Sequence, residues 1–361
     1  MNGVIFKVAG KIINFYGKTG RVFIIFSLIF LSSLFCACAG LAADAQEYYS
    51  IGMAYYGLGK YEEAEKWLNR AKQADRTMTA SQYNLGRIAF ETKKYEEAAK
   101  HFEGILKKDP DNILALRAAA YTRIKMGDIE KAEKHYSRLL ALVPESADDG
   151  YNHALVLFAM ERYEKAEEVM EKYPFSLEDN NDLILLYART QKALNKVEAI
   201  DSYAKWLNGN SDKKIRYEYA QLLEKHELYA RALEEYRSAL SDFTPADDSA
   251  STSTAVDTGE DIKKSDVRFS LARLLLTADA SSGEGVTEME NAVSEGYDNI
   301  EEVEKLQKNT KVSAVNRDKL RSIVNNMQKT AEAKEKEAAK KESEKNLQQD
   351  ASETNLEGGS Q

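Results

Sequence analysis

Residues 48–71 read YYSIGMAYYGLGKYEEAEKWLNRA, two amphipathic stretches of helical spacing with Gly59 between them. The small residue Ala64 of this stretch recurs at intervals of 34, 34, 34, 34 and 32 residues. The recurring positions are Ala98, Ala132, Ala166, Ile200 and Ala232. A period of this length, in a chain rich in Ala, Tyr, Leu, Lys and Glu, predicts stacked helix-turn-helix units that cannot bury their apolar faces alone.

A common frame appears when Ala45 is counted as position 1 of the first unit. Small residues stand at positions 8 and 20, where two helices can cross closely, and Gly59 and Gly127 suit the turn between the helices. This pattern resembles the tetratricopeptide repeat. The resemblance implies an all-α fold, an α-α superhelix (TPR solenoid) of about six to seven helix-turn-helix repeats followed by C-terminal capping helices.

The frame divides the chain into successive segments. Six repeats are expected near 45–78, 79–112, 113–146, 147–180, 181–212 and 213–243. The fourth and fifth are degenerate copies, because His153 stands at position 7, Pro174 comes early, and Ile200 replaces the usual Ala. We expect residues 46–243 to form the TPR array.

The composition changes after Phe243. Residues 244–265 are rich in Ser, Thr and Asp and predict a flexible linker. Residues 266–328 predict a seventh TPR-like unit with capping helices, which cover the last apolar face of a solenoid. Residues 329–361 predict a charged, disordered tail, with a single helix held by Glu/Lys pairs as the alternative.

The N-terminus predicts export. Lys7, Lys11, Lys18 and Arg21 precede the uncharged run 22–43, and acidic residues follow it. This asymmetry favours an N-terminus in the cytoplasm and translocation of the rest. Residues 1–45 are therefore expected to be a signal peptide or a membrane anchor, cleaved after Ala45, cleaved earlier, or retained as a spanning helix.

Both cysteines of the chain, Cys36 and Cys38, fall in this apolar run, which excludes a disulfide framework in the repeats. Residues 35–39, FCACA, resemble a loose bacterial lipobox with Cys38 as the lipidation candidate, although Phe35 stands where Leu is usual. The other interpretation is two ordinary cysteines of a signal peptide or anchor. The predicted location is the cell envelope, in the periplasm and associated with a membrane through a lipid or the N-terminal anchor.

Charge and motifs restrict the function. The chain carries 50 Lys+Arg and 59 Asp+Glu. Removal of residues 1–45 would leave 46 against 58, a net of −12, which argues against nucleic acid as a partner. His101, His135, His153 and His226 fall in different repeats without metal-ligand spacing. We therefore expect no enzyme, no cofactor and no metal site.

The concave face of the array is the predicted site. The resemblance implies that positions 2, 5, 9, 12 and 13 of each first helix line an inner groove. The candidate groove residues are Tyr49, Met53, Tyr83, Arg87, Arg117, Tyr121, Tyr151, Arg189, Lys192 and Tyr217. Aromatic side chains offer rigid contact area, and guanidinium groups can fork onto partner carboxylates, so a protein segment, an extended peptide or a helix, is the expected ligand. Packing between helices is the alternative role for the aromatic residues.

These features predict a non-catalytic scaffold or adaptor that binds another protein in the bacterial cell envelope. Two alternatives remain open: a component of an outer-membrane assembly or transport machine, and an accessory subunit that delivers a small ligand. The second alternative requires a closed apolar pocket, whereas a protein adaptor requires an open groove.

Overall fold

The computed structural model describes residues 44–174, 176–243, 262–278 and 283–357, with side chains up to residue 341. Every regular element in these ranges is a helix, so the part of the chain that the structure describes is all-α. The expected signal peptide or anchor, its Cys38, and linker residues 244–261 lie outside the described residues. The described helices form two compact units, the first ending at Tyr173 and the second beginning at Pro174.

The first unit consists of helices that pack in sequential pairs. In chain order they are α1 (44–57), α2 (Tyr61–Ala74), α3 (Thr79–Glu91), α4 (Tyr95–Leu106), α5 (Ile113–Lys125), α6 (Ile129–Leu142), α7 (Ala147–Ala159) and α8 (Tyr163–Met170). From α2 onward each helix packs against the next along the chain, and α3 also touches α5. This nearest-neighbour packing is that of a solenoid.

The second unit continues the same scheme. Its helices are α9 (Ser176–Asp179), α10 (Asn181–Ala193), α11 (Ala199–Leu207), α12 (Lys213–Lys225), α13 (Tyr229–Ser241), α14 (Lys264–Ala278), α15 (Glu284–Ser294), α16 (Ile300–Gln307) and α17 (Ala314–Glu357). Helices α14 and α15 form a further antiparallel pair, and α16 and α17 pack on each other, with α17 also contacting α15. Their shared core includes Phe269, Met289 and Leu320.

Small residues mark the places where the two helices of a repeat cross. A Cβ added to Gly52 would lie 2.8 Å from Leu68 Cγ, and one added to Gly86 would lie 2.7 Å from Phe102 Cε1. The recurring alanines are fully buried; Ala64, Ala98, Ala132, Ala166 and Ala232 are each 0% exposed. The close approach of these helices therefore depends on the absence of larger side chains.

The turn at position 15 of each repeat is left-handed. Gly59 and Gly127 adopt φ of 71° and 75° there. In the other four repeats the same position carries a residue with a side chain: Lys93, Glu161, Asn195 and Glu227, with φ between 56° and 60°. Glycine accommodates this conformation without steric cost, whereas Lys and Glu do not.

Polar side chains cap the N-terminus of the first helix in four repeats. Asn112, Ser146, Asn180 and Asp212 each accept a hydrogen bond from the backbone N–H three residues further on. These residues precede α5, α7, α10 and α12, and satisfy donors that a helix N-terminus leaves unpaired.

The fourth repeat is shortened. Its second helix, α8, has 8 residues and ends at Met170, and Pro174 follows closely. Tyr173 fills the space beside Gly150, where an added Cβ would lie 2.2 Å from Tyr173 Cε2, and its hydroxyl donates to the Pro144 carbonyl at 2.9 Å. Tyr173, which follows the short α8, thus packs against Gly150 of α7.

The C-terminal segment differs from the expected disordered tail. Helix α17 runs without a break through residues 329–357. Glu337 and Lys341 form an i,i+4 ion pair of 2.7 Å on it. The structure thus shows the single helix that was the alternative prediction for this segment. Ion pairs between Glu and Lys on successive turns stabilise such a polar helix.

Candidate functional site

A groove lies between α1, α3 and α5 of the first unit. It encloses about 410 Å³. Its lining residues are Tyr49, Met53, Thr79, Ala80, Tyr83, Asn84, Arg87, Asn112 and Leu114. The four predicted residues of the first two repeats, Tyr49, Met53, Tyr83 and Arg87, are therefore brought together on one surface.

Asn84 organises this surface. Its amide nitrogen donates to the Tyr49 hydroxyl at 3.1 Å and to the Ala80 carbonyl at 3.0 Å, and its amide oxygen accepts from Arg87 Nη1 at 3.2 Å. The side chain is 4% exposed. A buried amide with these three hydrogen bonds fixes the orientation of the Tyr49 hydroxyl and of the Arg87 guanidinium.

The two groove tyrosines have both packing and surface roles. Tyr83 is half-buried, and its ring centroid lies 5.6 Å from that of Phe102 in the core. Tyr49 is also half-buried and packs with Met53 against the cluster around Leu68 and Leu85. Each ring is thus held on one side by the core and faces the groove with the rest of its surface.

Arg87 is held above an aromatic ring. Its guanidinium carbon lies 4.7 Å from the centroid of Tyr56, a cation-π arrangement. Burial raises the pKa of Tyr56 above its usual value, although Arg87 acts in the opposite direction. The tyrosine therefore remains neutral, and the arginine supplies the positive charge of the groove.

Arg117 and Arg189, two of the predicted groove residues, are both paired with carboxylates of the same chain. Arg117 donates from Nε and Nη2 to the two carboxylate oxygens of Asp149 at 2.7 and 2.6 Å. Arg189 makes the same two-pronged contact with Glu218 at 3.1 and 2.8 Å. The carboxylates come from the first helix of the following repeat. The guanidinium groups that the prediction assigned to partner carboxylates therefore bind carboxylates of the same chain.

Asp149 is strongly held by this contact. Burial alone would raise the pKa of its carboxyl, but hydrogen bonds from Arg117 and Ser146 lower the pKa below the usual value. The carboxylate is 1% exposed. This pair therefore joins two repeats.

The remaining predicted residues lie in varied surroundings. Tyr121 is exposed on α5, with its ring 5.3 Å from that of Phe90 and with Lys125 5.3 Å above it. Tyr151 is half-buried on α7. In the second unit, the Tyr217 hydroxyl lies 3.0 Å from Ser270 Oγ on α14. Burial lowers the pKa of the half-buried Lys192, against the influence of Glu218.

The sequence analysis missed five groove residues: Thr79, Ala80, Asn84, Asn112 and Leu114. Leu114 stands at position 2 of its repeat, one of the lining positions implied by the family resemblance. An apolar residue at that position is the signal that could have identified it, and in the structure its side chain is 55% exposed. Asn84 stands at position 6, which is not one of the five lining positions. Its role in the groove follows from its hydrogen bonds to Tyr49 and Arg87.

The described ranges contain neither a candidate metal cluster nor a membrane-spanning helix. Within those ranges no group of three or more His, Cys, Asp or Glu residues is arranged to hold a metal ion. Within the same ranges no helix combines the length and apolar character needed to cross a bilayer.

Family models identify repeats in residues 49–152. Tetratricopeptide repeat models match residues 49–113 and 89–152. An uncharacterized lipoprotein of Treponema pallidum is 25% identical over 181 residues, which are 50% of this chain and 92% of the relative.

Solved structures with similarity include a tetratricopeptide repeat protein of Parabacteroides merdae, with 21% identity, coverage of 73% of this chain and 97% of that chain, and a TM-score of 0.48. PilF of Pseudomonas aeruginosa has 19% identity, coverage of 55% and 91%, and a TM-score of 0.44. MamA of Desulfovibrio magneticus has 20% identity, coverage of 46% and 94%, and a TM-score of 0.43. From the family matches and the stacked helical pairs, residues 49–152 of this chain are tetratricopeptide repeats.

Proposed function

We propose that this protein is a non-catalytic scaffold of the bacterial cell envelope that binds a segment of another protein in the groove between α1, α3 and α5. The tetratricopeptide fold supports a role in protein-protein interaction. The groove narrows this role to one surface of the first unit. The observation that carries the proposal is the convergence of Tyr49, Met53, Tyr83 and Arg87 on one open depression.

The groove has the composition of a recognition surface. Two half-buried tyrosines and a methionine supply apolar area, and amide and guanidinium groups supply directional hydrogen bonds. Tyrosine and arginine are the residue types that contribute most to binding energy at protein interfaces. A volume of about 410 Å³ suits a few side chains of a bound segment.

The groove continues toward α5 as exposed surface. Leu114 is 55% exposed and Tyr121 is 44% exposed, both on α5. A segment that lies across α1, α3 and α5 would cover these side chains. Burial of apolar area that the free protein exposes to water favours binding.

The proposed location rests on the N-terminal sequence and on one relative. A basic N-terminus before the apolar run 22–43 is typical of export signals and anchors, and Cys38 offers a lipid attachment site. The Treponema pallidum relative, similar over half of this chain, is named a lipoprotein. Both observations support attachment to an envelope membrane.

Affinity purification tests the proposed function. The full-length protein, the Tyr83→Ala variant and the Tyr229→Ala variant are crosslinked in cells and purified, and the captured proteins are identified by mass spectrometry. Tyr229 is the matched control, because it is a 37% exposed tyrosine on the second helix of another repeat. We expect Tyr83→Ala to lose partners that Tyr229→Ala retains, with unchanged circular dichroism. Equal recovery from all three proteins would refute the assignment of the groove.

A further inference from the structure

The arginines of the first helices differ in their partners. Six of them form ion pairs within the chain: Arg117 with Asp149, Arg123 with Glu103 and Asp128, Arg189 with Glu218, Arg216 with Glu235 and Asp242, Arg268 with Glu288 and Glu295, and Arg273 with Glu224. Within the described residues Arg87 has no carboxylate at ion-pair distance. Its Nη1 donates a hydrogen bond to the amide oxygen of Asn84.

Arg87 is also the charged residue of the groove. The other eight lining residues are aromatic, aliphatic, hydroxyl or amide side chains. The chain as a whole is acidic, with 59 Asp+Glu against 50 Lys+Arg. A guanidinium that forms no ion pair within the described residues thus stands in the groove where apolar side chains are exposed.

The guanidinium is oriented before any partner binds. The Tyr56 ring supports it at 4.7 Å, and Asn84 holds Nη1 at 3.2 Å. A guanidinium has five N–H donors, so the contacts with Asn84 and Tyr56 leave donors available to a ligand. A carboxylate is the group that a planar guanidinium binds best, because two parallel N–H donors match its two oxygens.

Building on the proposed function, we propose that the groove selects a protein segment in which an aspartate or glutamate side chain stands beside a large apolar residue. The carboxylate pairs with Arg87, and the apolar side chain packs between Tyr49 and Tyr83. The protein walls reduce the access of water to this ion pair, which strengthens it relative to an ion pair at an open surface.

The position of Arg87 favours a side-chain carboxylate over a chain terminus. Arg87 lies on α3, the middle helix of the three that form the groove, with Tyr49 and Met53 on one side and Leu114 on the other. A bound chain that ended at Arg87 would leave half of this surface uncovered. A chain that passes through can place apolar side chains on both sides of the guanidinium.

Selection from a random peptide library tests the proposal. The full-length protein in mild detergent is used to select from a phage-displayed library of random dodecapeptides, whose segments have no free C-terminus. We expect enrichment of Asp or Glu next to Phe, Tyr, Leu, Ile or Met. Selection on Arg87→Glu should lose the acidic residue, whereas selection on Arg138→Glu should retain it. Arg138 is the matched control, because it is an exposed arginine of the first unit and the substitution changes net charge by the same amount.

Capped synthetic peptides give the quantitative comparison. For a selected sequence with acetylated and amidated ends, replacement of Asp by Asn should weaken binding to the wild-type protein about tenfold or more, as expected for a charge-assisted hydrogen bond. The same replacement should make little difference to Arg87→Gln, which retains an uncharged amide side chain. A variant peptide that has only a free C-terminal carboxylate should not substitute for the acidic side chain.

The outcomes separate the two proposals. Selected peptides that bind through Tyr83 but show no acidic residue would overturn the role of Arg87 and leave the groove in place. Equal loss of acidic peptides in Arg138→Glu would overturn it as well, because bulk charge would then explain the preference. A library that yields no peptide dependent on Tyr83 would count against both the groove and the acidic motif.

Discussion

Arg117 on α5 donates two hydrogen bonds, of 2.7 and 2.6 Å, to the carboxylate of Asp149 on α7, whose side chain is 1% exposed. The two residues are 32 positions apart in the chain and belong to consecutive repeats. Since Ser146 also donates to Asp149 at 2.7 Å, the buried carboxylate has three hydrogen bonds. The pair thus couples one repeat to the next, as Arg189 and Glu218 do between two later repeats.

Removal of Arg117 should destabilise the protein. The Arg117→Ala variant leaves a buried carboxylate without its counter-ion, which should lower the free energy of unfolding by about 2 kcal/mol or more. Arg138→Ala is the control, because the Arg138–Asp111 pair has both side chains at least half exposed and should contribute about 1 kcal/mol or less. Urea titrations followed by circular dichroism measure both values. Equal effects of the two substitutions would show that the buried pair has no special role.

Glycine should stabilise the turns that lack it. Glu161 and Lys93 adopt φ of 57° and 60°, at the position where other repeats carry Gly59 and Gly127. Glu161→Gly and Lys93→Gly relieve the steric cost of a side chain in this conformation and should each add about 1 kcal/mol or less to the free energy of unfolding, since glycine also loses more backbone entropy. Gly127→Ala should have the opposite sign. Thermal melting that ranks these variants in the reverse order would contradict the role of the turns.

Close helix crossing makes Gly86 sensitive to a single methyl group. A Cβ at this position would lie 2.7 and 2.8 Å from Cε1 and Cζ of Phe102, whose ring is buried. Gly86→Ala should therefore lower stability by about 1–3 kcal/mol. Gly57→Ala is the matched control, because nothing lies within 4 Å of its added Cβ. If Gly86→Ala melted like Gly57→Ala, the helices would not be in contact there.

The first unit should lose stability in mild acid because of His153. Burial lowers the pKa of its ring below the usual 6.5, although Glu133, whose Oε1 lies 3.6 Å from Nε2, acts in the opposite direction. The other ring nitrogen, Nδ1, has no hydrogen-bond partner in the described structure. The unfolded chain therefore binds a proton at a higher pH than the folded chain. Stability should fall as pH decreases from about 6.5 toward the lowered pKa of the folded state.

Melting temperatures of the wild-type protein and His153→Gln, recorded between pH 7.5 and 5, measure this effect. We expect a smaller decrease in the variant, which retains a residual slope because burial also lowers the pKa of His101 and His135. Parallel curves for the two proteins would exclude His153 as a source of acid sensitivity.

The helical units were predictable because their signals are local and repeated. First helices begin at Thr79, Ile113, Ala147, Asn181 and Lys213, which are the first residues of the repeats inferred from the spacing of small residues. Burial of the alanines at position 20 follows from the same spacing, since a small residue there permits close crossing. A period of 34 residues thus contains most of the information about helix placement.

The internal ion pairs were not predictable, because they depend on the register between neighbouring repeats. Arg117 and Arg87 occupy lining positions of similar helices, yet Arg117 meets Asp149 and Arg87 meets Asn84. A sequence frame records which face a residue occupies, but not which side chain of the next repeat reaches it. The left-handed Glu161 and Lys93 were missed for a related reason, since neighbouring helices impose a conformation that these residues do not favour alone.

Site-specific photocrosslinking is the sharpest test of whether the groove between α1, α3 and α5 binds a segment of another protein. A photoreactive phenylalanine analogue replaces Tyr83 in the groove or Tyr229 outside it, and the full-length proteins are irradiated in cells. We expect a discrete crosslinked partner at Tyr83, mapped by mass spectrometry to one segment of another protein, and no such product at Tyr229. Crosslinks at Tyr229 alone, or the same partner and segment at both positions, would contradict the proposal that this groove binds the partner.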